Sequence, residues 1–458
     1  MTKHLKNYDH YYSPHAALAG IGAKILELDL LQPIKENLRI KQKTVKRSPF
    51  DKICDALVSI LAGAHGLVEI NTLLRSDQGL QKAFGRSECA EQSVVQMTLN
   101  CCTTENVGQM MRAVKEIIQA HSQTSWHHWK KQLLVIDLDM TGMPCGRKAE
   151  GSLKGYQGEC GIRYGRQMCR ALAAQYEEVI VDRLYPGNMQ LNVVVPWMMA
   201  DLAETLKLNK YRKNRTVIRM DAGGGNYLDY LLKEGYQVHA KETSSIRARN
   251  LSAGVSRWTS DPDHPKREMG WFSLAEDYYC RPVRKLIFRW TKDRSGELNH
   301  ACLVSSLEPR QVLDLLGLPE EFLESENAVI LAYSKLYDLR GGCVEIEFKE
   351  SKGGIGITKR SKQRFAAQQM VMLLGQLAHN IIVWSRRWIA ETVPKLKKYG
   401  ALRTIRDLFR IGGRLEYNKF GILRRITLNR YFPNAQEMVL ILTKLLKSLR
   451  IEVMLSSP

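Results

Sequence analysis

Two aspartates, Asp137 and Asp139, close an apolar run in LLVIDLDMTG, residues 133–142. In a strand that spacing sets both carboxylates on one face, together with Val135. Ionised carboxylates taken out of water without a partner cost several kcal/mol. A hard divalent cation, Mg²⁺ or Mn²⁺, takes oxygen ligands and would supply the compensation.

One strand is not a site, and two further carboxylates stand where they could join it. Asp221 ends the apolar segment VIRMDAGGG, whose glycines allow close approach of backbone. In YDLRGGCVEIEFKESK, the residues Glu345, Phe348, Lys349 and Lys352 recur at helical spacing. That places Glu345 and Lys352 two turns apart on one face, a carboxylate and a cation together. Each feature also has a plainer explanation. Glu345 and Lys352 fit an exposed helix face with Glu347 and Lys349 as ion-pair partners. The glycine run after Asp221, with Glu242 further on, imitates a nucleotide-binding turn such as an S-adenosylmethionine-dependent methyltransferase would carry. Against that stand Arg219, which falls inside the strand, and the segment 337–352, which a methyltransferase leaves without a role. No phosphate-binding G-x-x-x-x-G-K-[ST] loop is present.

The elements that must position these groups follow from periodicity. Residues 1–125 have helical spacing, with Thr103 and Thr104 as N-cap candidates and a basic stretch at 39–49 that reads as a solvated linker. From Lys131 short strands take over: 132–142, then two sheet segments in RALAAQYEEVIVDRLYPG, then a helix over 194–207. The stretch 215–242 predicts strand, glycine turn, helix, strand. A β-rich segment follows at 246–325, including CRPVRKLIFRWT and HACLVSSL, and then an acidic helical piece, LPEEFLESENA. Trp258, Trp271 and Trp290 in this region are expected as core, or as stacking platforms for an unpaired or flipped base. The long apolar stretch 365–383 contains Gln368, Gln369, Gln376, His379 and Asn380, which argues for a helix inside a protein over one in lipid.

The 458 residues suffice for two or more domains with full cores. They carry 68 Lys+Arg against 47 Asp+Glu, a net charge of +21, so a polyanion is the expected partner. Ten cysteines without a C-x-x-C pair or zinc-type spacing fit reduced thiols in a cytosol. The start, MTKHLKNYDHYYSPH, lacks the apolar core of a signal peptide.

Taken together, the acidic segments resemble the DDE transposases of bacterial insertion sequences, in the group with a Y-R-E-K signature. In that signature Tyr is followed at plus three by Arg, then by Glu, then at plus seven by Lys; Tyr337, Arg340, Glu345 and Lys352 fit it. The Arg-to-Glu gap is five positions where four is usual, an extra residue that Gly341-Gly342 would absorb. An apolar strand ending in D-x-T matches Asp139 and Thr141, and one closing on D-A-G matches Asp221. LGQLAHNIIVWSRR looks like the family's closing helix.

The resemblance implies an α/β fold: a ribonuclease H-like mixed sheet flanked by helices, with a β-rich insertion and an N-terminal all-helical domain. The expected organisation is a DNA-end-binding domain at 1–125, core at 126–245, insertion at 246–325, closing helices at 326–395 and a basic region at 396–458. It implies a catalytic triad of Asp139, Asp221 and Glu345 holding two Mg²⁺ or Mn²⁺ ions, with Asp137 as the alternative first ligand. Tyr337, Arg340 and Lys352 would hold phosphates, and Trp290 is a further DNA-binding candidate. The partners would be double-stranded DNA, as transposon ends and target, and a second copy of the chain in a synaptic complex. No membrane partner is expected, and the place would be the bacterial cytoplasm, on the nucleoid when DNA is bound. The activity implied is cut-and-paste transposition; a transposase-derived DNA-binding protein without cleavage is the other outcome.

Overall fold

The computed structural model describes residues 8–43, 46–158, 161–274, 278–291 and 296–458. The first seven residues of MTKHLKNYDHYYSPH, and two residues of the basic stretch 39–49, lie outside them. The chain forms two compact units, one of residues 1–122, 144–152 and 348–458, the other of 123–143 and 153–347.

The second unit is built on a mixed sheet. Its innermost strand, Leu134–Pro144, lies between Ile162–Ala173 on one side and Thr216–Arg219 on the other. Outward from Ile162–Ala173 comes Glu178–Pro186, antiparallel to it; outward from Thr216–Arg219 comes Gln237–Lys241, parallel. Leu134–Pro144, Thr216–Arg219 and Gln237–Lys241 are thus parallel; the spatial order is Glu178–Pro186, Ile162–Ala173, Leu134–Pro144, Thr216–Arg219, Gln237–Lys241, with the short strand Leu153–Tyr156 also on Ile162–Ala173 and the helix Leu191–Leu206 carrying the chain from Glu178–Pro186 toward Thr216–Arg219. This is the ribonuclease H-like arrangement. Leu134, Val135, Ile136 and Leu138 are all buried, because a central strand is covered on both faces.

The strands Leu298–Ser305, Arg284–Thr291 and Arg267–Trp271 continue the same sheet antiparallel beyond Gln237–Lys241. Over this half lies the helix Glu326–Asp338, capped by the Ser325 side chain. It buries Tyr333, Leu336 and Tyr337 in one cluster with Val135, Val217, Leu286, Phe288 and Leu303. Each such side chain contributes about 1.5–3 kcal/mol when fully buried. Trp271 meets Tyr333 edge-to-face at 5.0 Å, and Trp290 packs on the same cluster. Trp258 lies under the Arg289 guanidinium, 3.9 Å from its ring centre.

The first unit is mostly helical. Its helix Thr104–His121 is capped by Thr103, whose hydroxyl accepts from Asn106 N. The sequence gives no sign of the strand Asp9–Ser13, which pairs antiparallel with Gly413–Tyr417 in a four-stranded sheet. A five-residue edge strand with its partner at the far end of the chain leaves no local pattern. The helix Phe365–Ala390 buries Gln368, Gln369, Gln376, His379 and Asn380 within protein. No helix among the described residues is long and apolar enough to cross a membrane.

Candidate active site

The two aspartates of the innermost strand have different fates. Asp137 is wholly buried and directly opposite Arg219 on the neighbouring parallel strand. Arg219 donates to both its oxygens, Nε to Oδ1 at 2.6 Å and Nη2 to Oδ2 at 2.8 Å, a bidentate pair. Burial raises the Asp137 carboxyl and the guanidinium opposes that. The compensation that its burial demands comes from an arginine.

Asp139, two residues on in the same strand, lies past the last residue paired with Thr216–Arg219, and its side chain is 13% exposed. Its Oδ1 accepts from Met140 N at 2.8 Å and its Oδ2 from Arg340 Nη1 at 2.9 Å. The other arm of Arg340, Nη2, donates to Glu345 Oε1 at 2.9 Å. Glu345 ends a π-helical turn, Gly341–Glu345, inserted between the helices Glu326–Asp338 and Ile346–Gly353. Such turns are uncommon and gather at functional sites. The extra residue between Arg340 and Glu345 is taken up in that turn.

Asp221 follows the strand Thr216–Arg219 and caps a 3₁₀ turn, Ala222–Tyr227, with Oδ1 accepting from Gly223 N at 2.9 Å. It shares with Asp139 the lining of a cleft of about 640 Å³, which also meets Lys154, Gln167, Asn188 and Gln190. The glycines after Asp221 serve packing. A Cβ on Gly225 would stand 2.5 Å from Thr243 N and 2.7 Å from Lys241 O. Glu242, the ribose-binding acid of the nucleotide-turn explanation, instead accepts from Tyr279 Oη at 2.6 Å.

Asp139 feels the other two acids. Burial first, opposed by Arg340 and reinforced by the charges of Asp221 and Glu345, pushes the Asp139 carboxyl up to about 6. Arg340 is held protonated by Asp139, Tyr337, Asp221 and Glu345. Carboxylate oxygens suit a hard divalent cation, but Arg340 stands between Asp139 and Glu345, and the three acids do not converge as one ligand set. Tyr337 is buried and pushed up to about 12, and its ring lies 5.8 Å from the Arg340 guanidinium carbon. Lys352 lies on Ile346–Gly353, in the stretch that belongs to the first unit. Trp290 lines a second cleft of about 500 Å³, with Lys241, His264, Lys266, Arg267 and Phe288.

Sequence reasoning missed Lys154 and Lys241, single lysines with no motif around them. It also missed Asp261, His264 and Asp338, whose ligand atoms lie within 4.8 Å of one another. That cluster is already partly neutralised, since Arg267 pairs with both aspartates. The only trace in sequence is the dense run DPDHPKR at 261–267.

A family model described as transposase DDE domain, group 1, matches residues 27–450. No curated protein matches the sequence. Among solved structures, a piggyBac transposase synaptic complex with hairpin DNA is similar at 10% identity and a TM-score of 0.44, over 89% of this chain and 81% of that one. A pre-cleavage Mos1 transpososome is similar at 13% identity and a TM-score of 0.18, over 69% of this chain and 85% of that one.

Proposed function

The chain belongs to the group 1 transposase DDE domain family, and from that premise we propose that it binds the ends of its own element as double-stranded DNA, cuts them and joins them to a target. Asp139, Asp221 and Glu345 are the catalytic acids of this proposal. The observation that carries it is geometric: Arg340 bridges Asp139 and Glu345, and Asp221 lines the same cleft as Asp139.

When bound by the three acids, two ions of Mg²⁺ or Mn²⁺ would activate a water or a 3′-hydroxyl and stabilise the leaving oxygen. The protein's own part is positioning. Arg340 must release Asp139 and Glu345 before both can turn to metal, and a DNA phosphate is the anion that would draw its planar fork away. Tyr337 orients that guanidinium, and Lys352 serves as a point charge for the backbone. Trp290 offers a face on which a base can stack beside the second cleft. Asp137 stays with Arg219 and holds the strand. One chain has one such triad, so two element ends call for two copies in a synaptic complex.

The test is cleavage of a labelled duplex carrying the element's end, with Mg²⁺ or Mn²⁺ and with EDTA. Nicking that needs metal and disappears in Glu345→Gln, with end binding retained, is the expected result. Binding without cleavage under every metal would replace this function with DNA binding alone.

A further inference from the structure

Lys241 is the last residue of the strand Gln237–Lys241, which runs parallel to the strand that delivers Asp221 and finishes at the same end of the sheet. Its Nζ stands 4.5 Å from the centre of the Tyr337 ring and 5.5 Å from that of Phe288. No carboxylate of a described residue comes within ion-pair distance of it. The acids that attract it are Asp338, which Arg267 already holds, and Asp221, while Arg267 and Arg340 repel it. Burial pulls the ammonium's pKa down, against the pull of those two acids.

This is an unusual place for a lysine. A long side chain normally extends its charge into water, and a desolvated ammonium is costly unless something answers it. Two ring faces give a partial answer. The side chain borders the open cleft that Lys266, Arg267 and Trp290 also line. An anion entering that cleft would complete the arrangement.

We propose that Lys241 is a phosphate-binding residue: its ammonium takes a non-bridging oxygen of the DNA backbone where the strand passes from the Asp139–Asp221–Glu345 site into the Trp290 cleft. The inference rests on the function proposed above and adds a contact that the Tyr337, Arg340 and Lys352 set does not include. Lys241 would be a positioning residue, holding the strand in register with the acids.

The test uses the full chain and a duplex carrying the element's end, with Ca²⁺ in place of Mg²⁺ so that binding is read without cleavage. Lys241→Gln is expected to bind about tenfold more weakly, and its plot of log affinity against log salt to be shallower by about 0.9, one phosphate contact. Lys241→Arg should keep the slope, and Lys241→Met with an unchanged melting temperature excludes a folding defect. A scan of single uncharged methylphosphonates along the duplex gives the decisive reading. At one position the substitution should weaken the wild type and leave Lys241→Gln unaffected. A wild-type salt slope in Lys241→Gln, or equal losses for both proteins at every position, would overturn the inference and leave the transposase function standing. Failure of the wild type to bind the duplex would remove both.

Discussion

Asp137 and Asp139 are the same residue type two positions apart on one strand, and what separates them is which arginine each one meets. Asp137 faces Arg219 across a parallel register in a dry interior; Asp139, past the end of that pairing, faces Arg340, with two other acids in range. The spacing alone fitted either as the first metal ligand, because both partners come from distant segments. Arg219→Met should destabilise the protein by about 3–5 kcal/mol, since it strands a buried carboxylate; denaturant unfolding would measure this. Asp139→Asn should do the opposite. Its carboxyl is raised from 3.8 to about 6, so the folded chain carries a penalty at neutral pH that grows as pH rises through that window. The variant should lose cleavage while melting at or above the wild-type temperature at pH 7, and the difference should vanish below about pH 4.

The strands and helices of the second unit were legible because each carries its own period: the apolar run at the centre, the strand-turn-helix-strand of 215–242, the paired strands before the acidic helix. Their joining into one sheet was not, because it depends on contacts between segments far apart in sequence. His239 is an example. It is wholly buried on Gln237–Lys241, with Nδ1 3.0 Å from Ser305 Oγ and Nε2 3.1 Å from Tyr333 O, so one ring ties two strands to the covering helix. Burial lowers its pKa from 6.5 to about 3. The unfolded chain therefore takes up a proton below about 6.5 that the folded one refuses, and stability falls as pH drops from there toward 3. In His239→Gln that component should be missing, so the wild type's advantage over the variant should shrink with acid. A difference independent of pH would mean that the ring is not held neutral.

At the scale of the molecule, the net charge of +21 was the most direct pointer to a nucleic-acid partner, and it needed no fold. The way the chain is divided was the least visible. The first unit gathers residues from both ends, and its sheet pairs Asp9–Ser13 with Gly413–Tyr417 and Leu423–Leu428 with Glu452–Leu455. A chain ending after Ala390 should retain the second unit's cooperative melting transition and lose that of the first, which calorimetry would resolve. That same pairing bears on synthesis. At ribosomal rates of about 5–20 residues per second, the opening strand waits roughly 20–80 seconds for a partner, while all of 123–347 has emerged and can close its own sheet. The second unit is therefore complete on the nascent chain before its companion is, and a message cut short beyond residue 347 yields the one without the other.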